Sequence, residues 1–235
     1  MMADAFEVQE EFRFLGRTFA EYCRLFGLDP SSLGGHSVLD CPGGPGSFTA
    51  VASTLANSVV AVDPMYGRTV TDLQTICHDA VEQTVAQLQA QREAFVWSEY
   101  GNPATRGRYL RAAAERFLAD YARHPGRYVQ AGLPELPFES DAFDIVLSAN
   151  LLFLYDDRLD EQFHADAMLE LARVARTEVR VFPLHSLDGS RSAFVDPVRN
   201  RVEDAGLTTR FESVPYEFQP GATEALVVTD PAQWV

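Results

Sequence analysis

Apolar residues along this chain fall into two alternating patterns. Short apolar runs, typical of buried strands, occupy residues 36–39, 58–62, 128–131, 141–148 and 178–183. Between most of these runs lie stretches with apolar residues at spacings of three and four, which are typical of amphipathic helices. This alternation predicts an α/β fold in which the five strands form a parallel sheet with helices on both faces.

Two further strands are predicted near the end of the chain, at residues 208–214 and 224–229. The segment between them is too short for the crossover that a parallel pair requires, so we expect them to pair antiparallel. The predicted sheet therefore has seven strands: five that are parallel, followed by a C-terminal antiparallel β-hairpin. Residues 1–235 are assigned to a single domain.

Residues 66–127 interrupt the alternation, because about 60 residues separate the second and third strands where roughly 15 would suffice for a crossover. Two helices are predicted there. One covers about 68–95, and the other starts at Asn102 and Pro103, a favourable N-cap and N1 pair, and stops at residues 124–126. We expect an inserted helical cap that acts as a lid or selects the substrate. Another amphipathic helix is predicted at residues 5–27.

A glycine-rich loop joins the first strand to the helix that follows it. After Asp40 the loop reads Cys41-Pro42-Gly43-Gly44-Pro45-Gly46. Strand, glycine turn and helix N-terminus together form a cradle for a nucleotide-like ligand. The dinucleotide fingerprint lacks its third glycine, and a phosphate-binding P-loop is excluded because the chain contains no lysine. A carboxylate at Asp40 suits a ligand with a cationic amine and repels a pyrophosphate.

The second strand also ends in an acid, Asp63, which is followed by Pro64. At the tip of the second strand of a βαβ unit, an acid can accept hydrogen bonds from two ribose hydroxyls. Enzymes that bind NAD use such an acid too. Asp63 therefore predicts an adenosine-containing ligand without deciding which one.

These features resemble the class I S-adenosylmethionine (SAM)-dependent methyltransferases. The loop is similar to their motif I, Asp-x-Gly-x-Gly-x-Gly, with Pro42 in place of the first glycine. A loop that ends in Leu-Pro-Phe, followed by Phe-Asp-x-Val-x-Ser at residues 143–148, is similar to motifs III and IV of their small-molecule branch. Five parallel strands and a terminal hairpin form the Rossmann-like sheet of that family. The resemblance covers about residues 36–63 and 128–235.

The resemblance implies SAM as the cofactor and methyl transfer by in-line displacement to a small-molecule acceptor. The implied cofactor-binding residues follow the first four strands: Asp40, Cys41, Pro42, Gly43, Gly44, Gly46, Asp63, Pro64, Gly132, Leu133 and Asn150. Gly132 replaces the aspartate with which the family usually binds adenine, so backbone groups near Gly132 and Leu133 would take that role. The segment after the fourth strand does not read Asn-Pro-Pro-Tyr, which argues against methylation of a nucleic-acid base.

Candidate catalytic residues follow the fourth and fifth strands: Tyr155, His164 and His185. Each also has a structural interpretation, as a pocket wall, a packed or capping histidine, or an exposed loop residue. Arg17 and Tyr22 of the predicted N-terminal helix could reach the carboxylate of the cofactor. Two alternatives stay open: a SAM-binding regulatory or accessory protein without transfer activity, and an NAD-linked oxidoreductase. The missing third glycine and the terminal hairpin oppose the second of these.

The charge of the chain limits the classes of partner that it is expected to bind. Asp and Glu number 34 against 19 basic residues, all of them arginine, and the net charge is −15. This charge opposes nonspecific binding to nucleic acid or anionic membranes. Such an acidic, lysine-free composition is typical of proteins from salt-loving archaea, although a GC-rich genome would also favour arginine. Six arginines between residues 106 and 127 either receive an anionic substrate or pair with acidic neighbours.

The remaining signals concern compartment and metal binding. No apolar run is long enough to span a bilayer and the N-terminal residues are acidic, so a cytoplasmic protein is expected. Cys23, Cys41 and Cys77 are odd in number and lack Cys-x-x-Cys spacing, which predicts neither a disulfide framework nor a zinc site. The oligomeric state and the identity of the acceptor are not predicted.

Overall fold

A computed structural model of the chain describes residues 12–230. Its centre is one seven-stranded sheet in the order β3-β2-β1-β4-β5-β7-β6. The strands are β1 Ser37–Asp40, β2 Ser58–Val62, β3 Tyr128–Val129, β4 Phe143–Ala149, β5 Ala175–Phe182, β6 Thr208–Ser213 and β7 Glu224–Thr229. The first five are parallel, and β7 lies antiparallel between β5 and β6. The predicted Rossmann-like sheet with a C-terminal antiparallel hairpin is confirmed.

Six α-helices accompany the sheet within the described residues. They are α1 Phe19–Leu25, α2 Phe48–Ala52, α3 Val70–Ala90, α4 Pro103–Arg123, α5 Glu161–Val174 and α6 Val195–Asp204. Short 3₁₀ turns cover Pro30–Leu33, Arg92–Ala94 and Pro125–Arg127. No helix in this part of the chain combines the length and the apolar character needed to cross a bilayer.

Successive residues of a strand serve opposite faces of the sheet, as its two-residue period requires. Leu39 of β1 and Val146 of β4 belong to a core that includes residues of α5 and α6. Their neighbours Val38 and Ile145 belong to a second core that includes residues of α1 and α2. Helices therefore cover both faces, as predicted.

The insertion between β2 and β3 contains α3 and α4, which pack against each other. Asn102 caps α4, because its side-chain oxygen accepts the backbone N–H of Thr105 at 2.9 Å. Tyr66 and Phe117 stack with ring centroids 5.7 Å apart, in a cluster that joins the insertion to β3. The aromatic cluster holds both helices against the edge of the sheet.

The N-terminal helix is shorter than predicted. Residues 5–11 lie outside the described residues, residues 12–18 are not helical, and α1 begins at Phe19. A capping box sets this start: the Thr18 side chain accepts the N–H of Glu21, and the Glu21 carboxylate accepts the N–H of Thr18. The prediction of helix across residues 12–18 was therefore wrong, because those residues pack as an extended segment on the glycine-rich loop.

Candidate functional site

A cleft lies at the carboxyl edge of the parallel strands. Strand order reverses between β1 and β4, and open α/β sheets bind ligands outside the strand ends at such a switch point. The cleft has a wide lobe of about 780 Å³ on the β2 and β3 side and a narrow lobe of about 170 Å³ toward β5 and the β6–β7 loop. The residues that line both lobes are Arg13, Phe14, Pro42, Asp63, Asn150 and Tyr155.

Most of the predicted cofactor residues meet in this cleft. The wide lobe is lined by residues that follow four different strands: Cys41, Pro42, Asp63, Pro64, Gly132, Leu133 and Asn150. Gly43 and Gly44 line the narrow lobe. The structure therefore brings residues as distant in sequence as Cys41 and Asn150 to one surface, whereas Asp40 and Gly46 line neither lobe.

Asp63 is the buried acid of the cleft wall, whereas Asp79, which also lines the wide lobe, is exposed. The Oδ2 atom of Asp63 accepts the N–H of Gly44 at 3.1 Å, and its Oδ1 accepts the N–H of Met65 at 2.8 Å. Burial raises the pKa of the Asp63 carboxyl group to about 6, against the lowering effect of those two hydrogen bonds. A carboxylate has about four acceptor sites, so further hydrogen bonds from ligand hydroxyls remain feasible.

Asp40 lies behind the cleft wall and does not form part of it. It is 1% exposed, and its Oδ1 accepts the hydroxyl of Tyr22 at 3.0 Å. Burial raises the pKa of the Asp40 carboxyl group well above its usual range. Tyr22 lines the narrow lobe, whereas Asp40 lines neither lobe, so this acid reaches the cavity through Tyr22 and its direct contact with a cofactor stays a prediction.

The glycine-rich loop is braced by the chain itself. The N–H groups of Gly43, Gly44 and Gly46 donate to Val62 O, Asp63 Oδ2 and Gly43 O. Gly44 has a φ of 49°, in the left-handed region that glycine adopts without strain. Gly46 faces the backbone of Arg17, so its role is close packing and the prediction of a ligand contact from Gly46 is not supported by its position.

Gly16 is a site residue that the sequence reasoning missed. A Cβ atom placed on it would lie 2.1 Å from Pro45 O, a distance that no side chain tolerates. The next residue also contacts the loop, since Arg17 O accepts the N–H of Ser47 at 3.0 Å. This contact lays the extended segment before α1 across the loop. No local sequence signal marks it, because it joins residues about thirty positions apart.

Arg17 and Asn150 meet across the narrow lobe. Arg17 Nη2 donates to Asn150 Oδ1 at 3.3 Å. Asn150 follows β4 with a φ of 58°, a conformation that asparagine adopts more readily than most residues. Tyr155, which lines both lobes, accepts the N–H of Arg13 through its hydroxyl at 3.4 Å. Tyr155 is thus the one predicted catalytic residue that lies in the cleft wall.

The two predicted catalytic histidines do not line either lobe. His164 is fully buried, its Nδ1 lies 2.8 Å from Asp160 O, and Phe153 and Phe194 pack against its ring. Burial lowers its pKa and keeps the ring neutral. His185 is half-buried beside β5, and burial followed by the nearby Arg191 charge lowers its pKa. Both histidines therefore have structural positions.

The insertion contributes to both lobes. Thr84, Leu88, Phe95 and Arg106 line the narrow lobe, and Ile76 and Gln83 line the wide one. The insertion is tied to the rest of the molecule by a buried ion pair, in which Arg106 Nη1 lies 2.9 Å from Glu21 Oε1. The hydroxyl of Tyr100 donates to the same carboxylate at 2.5 Å.

The six arginines between residues 106 and 127 lie in different surroundings in the fold. Arg106 pairs with Glu21, Arg111 with Glu82 at 2.6 Å, and Arg127 with Asp120 at 2.8 Å. Arg108 donates to Thr105. Pairing with acidic neighbours thus accounts for three of the six, and Arg106 is the member of this group that lines the cleft.

Comparison with known sequences finds an archaeal relative of similar length. No protein-family model matches the chain. The uncharacterized protein MJ0045 of Methanocaldococcus jannaschii is 28% identical over 215 residues, which cover 91% of this chain and 94% of that protein. The match spans nearly all of both chains.

Comparison with solved structures finds methyltransferases. Magnesium protoporphyrin IX methyltransferase from Synechocystis with bound SAM is 13% identical, with a TM-score of 0.45 over 84% of this chain and 71% of that one. A putative SAM-dependent methyltransferase from Methanococcus maripaludis is 13% identical, with a TM-score of 0.45 over 90% and 83%. At these TM-scores the similarity carries no functional assignment, and the fold rests on the strand order of the chain itself.

Proposed function

We propose that this protein binds SAM and transfers its methyl group to a small-molecule acceptor. The observation that carries the proposal is the convergence of the segments after β1, β2, β3 and β4 on one cleft, with Asp63 lining both of its lobes. When bound, SAM supplies a methyl group on a cationic sulfonium. The chain then has to hold the cofactor, align the acceptor and exclude water.

The wide lobe suits the adenosyl part of the cofactor. Asp63 would accept the two ribose hydroxyls, as an acid at the end of β2 does in nucleotide-binding βαβ units. Pro64 and Leu133 would cover the faces of the adenine ring, and the backbone near Gly132 would meet its polar edge. Hydrogen bonds to a charged group stabilise by about 1.5–3 kcal/mol each, so Asp63 would supply much of the affinity.

The junction between the two lobes suits the methyl group. Asn150 and Tyr155 line both lobes and would stand on either side of the transfer path. Since His164 and His185 lie elsewhere, alignment of the acceptor would contribute more to the rate of methyl transfer than a protein base would. The acceptor would therefore have to present an available lone pair. The narrow lobe of about 170 Å³ is small beside the roughly 300–1,000 Å³ of drug-sized sites, which supports a small acceptor.

The NAD-linked alternative gains no support from the fold. An NAD-binding domain would continue with a sixth parallel strand next to β5, and here the antiparallel β7 takes that place. The insertion, residues 66–127, would act as the cap over the acceptor, because Leu88 and Phe95 line the narrow lobe.

Isothermal titration with S-adenosylhomocysteine (SAH) and with NAD tests the proposal. It is run in molar KCl because the acidic composition resembles that of salt-adapted proteins. We expect SAH to bind and NAD not to bind. Asp63→Asn should weaken SAH about 10- to 100-fold, which corresponds to the loss of about one charged hydrogen bond. Asp204→Asn, at an exposed position on the end of α6, is the control. Binding of NAD alone would refute the proposal.

A further inference from the structure

Within residues 12–230, the Glu21 carboxylate acts electrostatically on the guanidinium of Arg17, but Glu21 forms its ion pair with Arg106. Arg17 Nη2 donates to the neutral Asn150 amide, and Arg17 Nε is buried with no hydrogen-bond partner. No carboxylate of the described residues lies within ion-pair distance of it. One carboxylate cannot neutralise two guanidinium groups, so Glu21, Arg106 and the half-buried Arg17 together carry a net positive charge. An anion in the narrow lobe would balance that charge.

The other two arginines of the narrow lobe are engaged within the protein. Arg106 is 2% exposed and pairs with Glu21 at 2.9 Å. Arg13 donates to Thr84 Oγ1 at 3.2 Å and also to Gln87, which fixes it to α3. Arg17 differs from both because its Nη2 donates to Asn150 alone, and its buried Nε has no hydrogen-bond partner among the described residues.

Packing of the main chain determines where Arg17 lies. Gly16 packs directly on Pro45, and Arg17 O accepts the N–H of Ser47, so the Arg17 backbone is held against the glycine-rich loop. From there the side chain spans to Asn150 at the end of β4. The N–H groups of Gly43 and Gly44 are already bonded within the chain, so they do not compete with Arg17 for an anion.

The surroundings favour a carboxylate. Phe182, Tyr216 and Phe218 line the same lobe, and an aromatic lining lowers the local dielectric and strengthens a charge-assisted hydrogen bond. A guanidinium presents a planar fork of donors that matches the two oxygens of a carboxylate. One arginine balances one negative charge, which fits a carboxylate better than a phosphate dianion.

We propose that Arg17 anchors a ligand carboxylate in the narrow lobe. The inference rests on the proposed function and adds to it a cation that fixes one end of the bound ligand. The carboxylate that Arg17 binds could belong to the amino-acid end of the cofactor or to the acceptor. Asn150 orients the guanidinium in both cases.

The test compares ligands with and without the carboxylate by isothermal titration. SAH and 5′-methylthioadenosine share the adenosyl group, but only SAH has an amino-acid end. Benzoate and benzamide, titrated into SAH-loaded protein, form the matched pair for the acceptor side. The variants are Arg17→Gln, Arg17→Lys and, as the control, Arg116→Gln, which removes the same charge from an exposed position on α4.

If the cofactor supplies the carboxylate, Arg17→Gln weakens SAH about 10- to 100-fold and leaves 5′-methylthioadenosine unchanged. If the acceptor supplies it, Arg17→Gln leaves SAH unchanged and abolishes a preference for benzoate over benzamide. Arg17→Lys keeps the charge and should retain part of the affinity in either case, which separates loss of the anchor from loss of the fold.

Equal behaviour of Arg17→Gln and Arg116→Gln toward SAH and benzoate would overturn the inference and leave the proposed function standing. Wild-type protein that binds neither SAH nor 5′-methylthioadenosine would refute the proposed function. The benzoate and benzamide arm, run on the unloaded protein, then decides the anchor by itself.

Discussion

The buried ion pair between Glu21 and Arg106 attaches the insertion to helix α1, and its removal tests how much it stabilises the fold. The two side chains are 0% and 2% exposed, and their charged atoms lie 2.9 Å apart. The Arg106 guanidinium also lies 4.6 Å from the Tyr100 ring centroid, in cation–π geometry. The pKa of Glu21 is lowered although burial alone would raise it, because the Arg106 charge and then that of Arg17 outweigh burial.

The expected cost follows from this burial. Removing one partner leaves the other charged and desolvated, which costs about 3–5 kcal/mol in buried pairs. The same figure results from an attraction of about 4 kcal/mol at 4 Å in a medium of effective dielectric 20. Arg106→Met and Glu21→Gln should each lower the unfolding free energy by this amount. In a chain of this size it corresponds to a drop of roughly 6–20 °C in Tm.

The double variant separates pairing from packing. Glu21→Gln with Arg106→Met removes both charges, so its cost should be clearly less than the sum of the two single costs. Urea and thermal unfolding, followed by circular dichroism in molar KCl, measure all four proteins. Arg111→Met is the control, because Arg111 also lies on α4 and pairs with Glu82 of α3, but these two side chains are 43% and 51% exposed. Its Tm should stay close to that of the wild type.

Additive single costs, or single variants as stable as the control, would refute this reasoning. The pair would then be an incidental contact, and the insertion would be held by its apolar and aromatic packing alone. The unfolding measurements on this double-mutant cycle are made at pH 7, where the lowered pKa of Glu21 keeps its carboxylate charged.

Two further predictions concern the loop and the acid of the cleft. Gly16→Ala should lower Tm and weaken SAH more than tenfold, because its Cβ would collide with Pro45 O; Gly126→Ala, with open space around it, should match the wild type in both measurements. Because burial raises the pKa of Asp63 to about 6 from 3.8, the folded chain binds more protons than the unfolded chain between these values. Asp63 therefore lowers the unfolding free energy as the pH rises through this window, and Asp63→Asn should remove that part of the slope in urea titrations. Affinity for SAH should rise with pH through about 6 in the wild type and stay flat in Asp63→Asn; a flat wild-type profile would contradict the role of the carboxylate.

The sheet was predictable because its signals are local. Apolar runs that end in Asp40 and Asp63, and a short final connection, determine strand type and direction without knowledge of distant contacts. The residues that follow these strands are brought together by the topology of any parallel sheet. For the same reason the predicted wide-lobe residues converged on one cavity.

The remaining features depend on pairings between distant positions. Tyr22 covers Asp40 only because α1 packs across β1, and periodicity does not reveal that contact. Glu21 and Arg106 are 85 residues apart, so their pairing could not be inferred from either helix alone. A readable signal was missed at Thr18 and Glu21, whose Thr-x-x-Glu spacing is a capping box and marks the start of α1.

A crystal structure of the protein with SAH would show directly whether the wide lobe holds the cofactor. We expect the adenosyl group in the wide lobe, with both ribose hydroxyls within hydrogen-bond distance of the Asp63 carboxylate and the adenine between Pro64 and Leu133. SAH bound elsewhere, or an empty wide lobe at a saturating ligand concentration, would contradict this expectation.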